Sequence, residues 1–160
     1  MMRKAADLSH LIDTNVLLRR LDPKHPQFAA ADEAIEKLKG RNERRCVARQ
    51  NLIEFRNTAS RPLDKNGLGL SPAAADLDLE YIEQDFNVLP ENDLVYDVWR
   101  QLIAAKSVSG KQVHDARLVA FMLVYGVTHI LTFNDSDFRR FETLPPEIGS
   151  GIIVVSPNDI

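Results

Sequence analysis

The sequence has few of the features that stabilise secreted proteins or anchor proteins in membranes. Its single cysteine, Cys46, cannot form a disulfide within the chain, which favours a reducing cytoplasm. No stretch approaches the roughly 18 consecutive apolar residues of a membrane-spanning helix. Residues 1–7 lead into a short strand that contains His10 and Asp13, unlike the apolar region of a secretory signal. We therefore expect a cytoplasmic protein without membrane segments.

The sequence also lacks a strong excess of charge of either sign. A net charge of −3 argues against a protein that coats nucleic acids nonspecifically. It does not exclude a nuclease, because acidic catalytic residues offset basic residues used for binding. A chain of 160 residues, 44% of them apolar, can bury a core without disulfides or a structural metal. We predict one domain that spans residues 1–160.

Short apolar segments alternate with segments of helical periodicity along the chain. Gly40 is expected to end the second helix, and Ser71 to cap a helix that begins at Pro72. The strands are continuously apolar, which is typical of parallel strands covered on both faces. The expected fold is an α/β three-layer sandwich around a mostly parallel five-stranded sheet. Strands are predicted at 8–12, 45–48, 86–89, 129–132 and 152–155, and helices at 15–21, 26–38, 50–60, 72–85, 93–106 and 112–125.

Acidic residues lie where several of these elements begin or end. In an open α/β sheet, ligands bind beyond the carboxyl ends of the strands, so side chains at these positions are expected to meet at one edge. Carboxylates crowded into one pocket repel each other unless a cation lies between them, and a hard divalent cation is the usual solution. The acidic residues concerned are Asp13 after the first strand, Glu54 in the helix after the second, Asp115 at the start of a buried helix, and Asp135 and Asp137 after the fourth strand, beside the neutral Asn134.

Four segments that contain these residues resemble the successive motifs of PIN domains, and the similarity extends over essentially the full chain. The most similar subgroup is the VapC-type ribonuclease toxins of toxin–antitoxin pairs. A single motif of this kind is only moderately specific, but four in the same order are strong. The segments are 12–17 (IDTNVL), 50–55 (QNLIEF), Gly110 to 114–116 (HDA), and 131–138 (LTFNDSDF).

The resemblance implies a PIN-like sheet of strand order 3-2-1-4-5 with a Mg²⁺ or Mn²⁺ ion in its acidic pocket. The family's first three acids correspond to Asp13, Glu54 and Asp115. Family members carry the fourth acid at position 134 or at position 137, and this chain has an amide at the first and a carboxylate at the second. We therefore predict that Asp137 is the charged member.

Neighbouring polar residues are expected to support these acids. Asn134 is predicted to be a neutral supporting group, and Asp135 a helix cap beside it. Asn15 and Thr132 are predicted to donate hydrogen bonds that orient the carboxylates.

The resemblance also implies an activity and partners. Metal-activated water would hydrolyse RNA phosphodiester bonds and leave 5′-phosphate and 3′-hydroxyl ends. Toxins of this type are neutralised by a small antitoxin, expected in a groove formed by residues 26–38 and 50–60, and they commonly form homodimers. Predicted RNA contacts are Arg56, Arg61 and Lys111, whereas Trp99, Tyr96 and Phe86 are interpreted as core or interface residues rather than base-stacking platforms.

Two other classes of α/β protein that gather acids beyond strand ends fit the sequence poorly. A receiver domain needs a phospho-accepting aspartate at the third strand, which here ends Leu89-Pro90, and a haloacid-type phosphatase needs Asp-x-Asp after the first strand, where position 15 is Asn. The more serious alternative is a catalytically impaired PIN domain that binds RNA or protein, because Asn134 weakens the fourth acidic position.

Overall fold

The computed structural model describes residues 8–160, so the prediction that residues 1–7 are not a secretory signal lies outside the described residues. Every predicted strand and helix is present, with boundaries shifted by at most two residues. The strands are β1 (Ser9–Ile12), β2 (Arg44–Ala48), β3 (Asn87–Leu89), β4 (His129–Leu131) and β5 (Ile153–Val155). The helices are α1 (Thr14–Arg20), α2 (Phe28–Gly40), α3 (Arg49–Ser60), α4 (Pro72–Asp85), α5 (Asp93–Ala105), α6 (Gln112–Tyr125) and α7 (Asp135–Phe138).

The five strands form one parallel sheet of order β3-β2-β1-β4-β5, which confirms the predicted fold class. Strand β1 lies at the centre, with Leu11 opposite Cys46 of β2 and Ile12 opposite Leu131 of β4. The carboxyl ends of these three strands therefore meet at one edge of the sheet. The chain leaves that edge at Asp13, at the start of α3 and at Thr132.

Helices cover both faces of the sheet, which explains why the strands are apolar without alternation. One buried cluster contains Leu11 together with residues of α5 and α6, and the other contains Ile12 together with residues of α1 to α4. Helix α6 contains a run of five buried residues, 118–122, each at most 1% exposed. No helix within residues 8–160 combines the length and apolar character needed to cross a membrane.

The structure refines two details of the sequence interpretation. Helix α2 ends at Gly40, as predicted, and the left-handed turn that follows it is made by Asn42 at φ 57°. Tyr96 is 58% exposed on α5, so of its two predicted roles, core or interface residue, the core role was wrong, whereas Phe86 is 5% exposed. Tyr96 lies one position after the buried Val95, so its side chain is rotated by about 100° around the helix from that buried position. The expected cap of α4 is present, since the Ser71 hydroxyl accepts a hydrogen bond from the amide of Ala74.

Candidate active site

The structure brings four acidic residues together at the carboxyl edge of the sheet. Burial, together with the charges of Asp13, Asp137 and Glu54, raises the pKa of Asp115 to about 7. Burial also raises the pKa of Asp13 to about 6 and outweighs the hydrogen bonds to its carboxylate, which lower that pKa; the charges of Glu54 and Asp137 raise it by smaller amounts. Because charges affect one another's pKa only at short range, the four carboxylates lie near one another in a region that we call the acidic pocket. They come from β1, α3, α6 and α7 and the residues that flank them.

The Asp13 carboxylate is held by hydrogen bonds at both of its oxygens. The backbone N–H of Thr14 donates to Oδ1 at 2.8 Å, and the Thr132 hydroxyl donates to Oδ2 at 2.7 Å. Thr132 in turn accepts from the backbone N–H of Asn134 at 2.9 Å and from the Asn15 amide at 3.4 Å. Asn15 and Thr132 thus lie where they orient Asp13, across the junction between β1 and β4.

The Glu54 carboxylate is held by a second set of hydrogen bonds. The Thr14 hydroxyl donates to Oε2 at 2.8 Å, and the Gln50 amide donates to Oε1 at 2.9 Å. The fully buried Asn51 donates from Nδ2 to the Thr14 hydroxyl at 3.2 Å, and its Oδ1 accepts from the backbone N–H of Ala48 at 2.9 Å. A continuous chain of hydrogen bonds therefore joins the end of β2 to Glu54.

Sequence reasoning missed the roles of Thr14, Gln50 and Asn51. A usable signal was the polar Asn51 on the inner face of a helix, three residues after the last strand residue Ala48. This is the spacing at which a side chain reaches back to an N-cap amide.

Replacing Asn51 with alanine should lower the free energy of unfolding by about 1–2 kcal/mol, because a buried backbone N–H loses its acceptor. Urea unfolding followed by circular dichroism measures this change. Asn57→Ala is the matched control, since Asn57 is exposed on the same helix. An equal loss in both variants would contradict the role given to Asn51.

The segment after β4 differs in one respect from expectation. Asp135 was predicted to be a helix cap, but Asn134 occupies the N-cap position of α7 and Asp135 is its first helical residue. The Asp135 carboxylate instead accepts a hydrogen bond from Arg139 at 2.6 Å, one turn along the chain. Asp135 is thus paired with Arg139, whereas Asp137 contributes to the raised pKa values of Asp13 and Asp115.

The predicted RNA-contacting residues lie outside this pocket. Arg56 donates to Asp76 of α4 at 2.7 Å, and Arg61 donates to the Thr58 hydroxyl at 2.9 Å, so both guanidinium groups have partners within the protein. Lys111 is exposed immediately before α6, four residues ahead of Asp115. Within residues 8–160, no lysine or arginine forms an ion pair with any of the four clustered acids.

The donor set fits the divalent cation implied by the family resemblance. Carboxylate oxygens are the ligands that Mg²⁺ and Mn²⁺ prefer, and none of the ion pairs of residues 8–160 places a lysine or arginine on these four acids. Among the described residues, no three His, Cys, Asp or Glu side chains are already spaced to ligate an ion together. Asp13 and Glu54 are held by hydrogen bonds from neighbouring threonine and glutamine side chains.

Comparisons with known proteins agree with this architecture. The sequence model of the PIN domain family matches residues 10–144. No match was found among curated proteins.

Several solved structures share the fold. VapBC2 from Rickettsia felis, bound to a promoter DNA fragment, has a TM-score of 0.65 at 12% identity, with 93% of this chain and 98% of that chain covered. VapBC-1 from nontypeable Haemophilus influenzae has a TM-score of 0.63 at 14% identity, with 94% and 98% covered. VapC20 from Mycobacterium tuberculosis, described as a sarcin–ricin loop cleaving toxin, has a TM-score of 0.59 at 12% identity, with 80% and 92% covered. At these identities the similarity shows a common fold.

Proposed function

The chain belongs to the PIN domain family, and from this premise we propose that it is a Mg²⁺- or Mn²⁺-dependent endoribonuclease and the toxin of a toxin–antitoxin pair. The observation that carries the proposal is the convergence of Asp13, Glu54, Asp115 and Asp137 in one pocket that lacks a balancing cation. The pocket lies beyond the carboxyl ends of parallel strands, where α/β sheets bind their ligands.

Each group in the pocket has a defined part in the proposed reaction. Asp13, Glu54, Asp115 and Asp137 would hold the cation. When bound, a divalent cation lowers the pKa of water and offsets negative charge on the phosphodiester. Thr132 and the backbone amide of Thr14 fix the Asp13 carboxylate, and the Thr14 hydroxyl and Gln50 fix that of Glu54. Water would attack phosphorus and the 3′-oxygen would leave, so the products carry 5′-phosphate and 3′-hydroxyl ends.

The proposed partner is an antitoxin, in line with the toxin–antitoxin complexes among the structures of similar fold. The expected groove between α2 and α3 is not the best candidate, because α1 packs against both helices. A cavity of about 560 Å³ lies instead along α3 and α4, lined by apolar Leu52, Ile53, Leu79 and Val88 and by Arg49, Arg56 and Glu83. Ile53 is 70% exposed there, which suits the apolar face of a partner helix. By family analogy we also propose a homodimer.

One observation favours a second candidate, a catalytically impaired PIN domain that binds RNA or protein. Position 134 is an amide, so the pocket has one carboxylate fewer than a site with acids at both positions 134 and 137. Asp137 compensates for this change, since its charge contributes to the raised pKa values of Asp13 and Asp115.

The test is incubation of the purified protein with single-stranded RNA in EDTA, Mg²⁺ or Mn²⁺. We expect cleavage only with a divalent cation, and product 5′ ends that release phosphate with a phosphatase. Failure to cleave total RNA in Mn²⁺ would contradict the enzyme proposal. Retained RNA binding under those conditions would favour the impaired domain.

A further inference from the structure

A second pocket adjoins the acidic pocket and is lined by aromatic and basic side chains. It has a volume of about 370 Å³, and Tyr96, Trp99, Val113, His114 and Arg117 line it. Tyr96 and Trp99 lie one turn apart on α5, with ring centroids 5.7 Å apart and ring planes at 38°. The Trp99 indole N–H donates to the carbonyl of Val113 at 2.7 Å, which fixes the ring against the start of α6.

A single glutamine side chain connects this aromatic pocket to the carboxylates. The Gln50 amide nitrogen donates to the carbonyl of His114 at 2.9 Å and to Glu54 at 2.9 Å. Its carbonyl oxygen accepts from Arg117 at 3.2 Å. Asp115 follows His114 directly in the first turn of α6. A ligand in the aromatic pocket would therefore lie within one nucleotide of a phosphate held at the acidic pocket.

The chemistry of the lining selects among possible occupants. Tyr96 is more than half exposed, so its ring face is free to stack with a planar group. Arg117 lies at the rim, where it also pairs with Glu91 at 2.8 Å. Arg100, which lines the adjoining cavity with Tyr96 and Trp99, forms no ion pair within residues 8–160. Aromatic rings beside guanidinium groups suit a base that carries a phosphate better than a purely apolar partner surface.

We propose that Tyr96 and Trp99 form a nucleobase-binding subsite for the nucleotide next to the scissile phosphate. The inference rests on the proposed ribonuclease function and adds to it a contact with the base rather than with the phosphate. Stacking is tolerant of base identity, so the subsite positions single-stranded RNA without strict sequence preference.

The chain offers a direct reporter, because Trp99 is its only tryptophan. In the Asp115→Asn background with Mg²⁺, a short single-stranded RNA should change Trp99 emission, and an abasic ribose-phosphate oligomer of equal length should not. Adding Tyr96→Ala should weaken RNA binding about tenfold, in line with the loss of one stacking contact. Tyr96→Phe should retain binding. Tyr81→Ala is the matched control, since Tyr81 is 47% exposed on α4 and lines none of these pockets.

In the otherwise unmodified enzyme with Mn²⁺, Tyr96→Ala should raise KM about tenfold and leave kcat unchanged. Equal emission changes with RNA and abasic oligomer, or equal RNA affinities of Tyr96→Ala and Tyr81→Ala, would overturn the subsite. If sedimentation shows that Tyr96→Ala alone dissociates a dimer, the surface contacts a second copy of the chain, and the proposed subsite is overturned. If RNA changes Trp99 emission but the wild type cleaves no RNA, the nucleobase-binding subsite is supported and the nuclease function is refuted. If the wild type cleaves RNA but RNA does not change Trp99 emission, the nuclease function is supported and the subsite is refuted.

Discussion

Asp115→Asn should reduce metal-dependent RNA cleavage roughly 10³-fold, the scale expected when a buried electrostatic contact to a reacting centre is lost. The substitution keeps the size of the side chain but removes a charge and replaces one ligand oxygen with an amide nitrogen. Because Asp115 is one of four acids in the pocket, the remaining three would hold a divalent cation more weakly. Initial rates at several Mn²⁺ concentrations measure both effects.

Asp13→Asn should cause a comparable loss, with an added disturbance of the surrounding hydrogen bonds. An amide nitrogen in place of Oδ2 would face the Thr132 hydroxyl, which now donates to that position. Asp64→Asn provides the control, since Asp64 is exposed outside the pocket. Cleavage at the wild-type rate in both Asp13→Asn and Asp115→Asn would show that the clustered carboxylates are not the catalytic site.

The same Asp115→Asn substitution should stabilise the metal-free protein by about 2 kcal/mol at pH 8, a value reduced from the full pKa shift because Asp115 is partly exposed. Its pKa is raised from 3.8 in the unfolded chain to about 7 in the folded protein. Between these values the folded protein holds a proton that the unfolded chain releases, so wild-type stability falls as pH rises from about 4 to 7. Asparagine does not titrate, so the gain in the free energy of unfolding of Asp115→Asn over the wild type is small at pH 4 and reaches its full value above pH 7.

Urea unfolding of both proteins in EDTA at pH 4.5 and pH 8 would measure this difference. Both proteins contain His10, so its contribution to stability cancels in the comparison. Burial lowers the pKa of His10 to about 4, so His10 makes stability rise with pH, opposite to the effect of Asp115. Added Mg²⁺ should stabilise the wild type more than the variant, since ligands stabilise the state that binds them. A variant less stable than the wild type at pH 8 in EDTA would contradict the unfavourable charge assigned to Asp115.

The fold and the convergence of the acids were predictable from the sequence because both depend on short-range patterns. Continuous apolar strands indicated a parallel sheet, and parallel strands deliver their carboxyl ends to one edge. Asp13 and Thr132 follow neighbouring strands, so their proximity needed only the strand order, which the family resemblance supplied. The start of α4 at Ser71-Pro72 was also predictable, because the cap and the first turn of a helix lie within a few residues of each other in the sequence.

The hydrogen bonds and ion pairs within the site were not predictable, because they depend on side-chain conformations across distant elements. Thr14 bonds Glu54 only because β1 and α3 are brought together by the sheet. Arg56 was expected to contact RNA, but its partner Asp76 lies 20 residues away on another helix. The exposure of Tyr96 likewise depends on which face of α5 packs against α6.

The tripeptide Asp13-Thr14-Asn15 places three consecutive side chains in the hydrogen bonds of the site: Asp13 and Asn15 both bond Thr132, and Thr14 bonds Glu54. An insertion or deletion of a single residue there would rotate every following side chain by about 100° around α1, in keeping with 3.6 residues per turn. We therefore expect residues 13–15 to tolerate substitutions better than changes in length. Insertions and deletions are better tolerated in segment 62–71, between α3 and α4, which makes none of these hydrogen bonds.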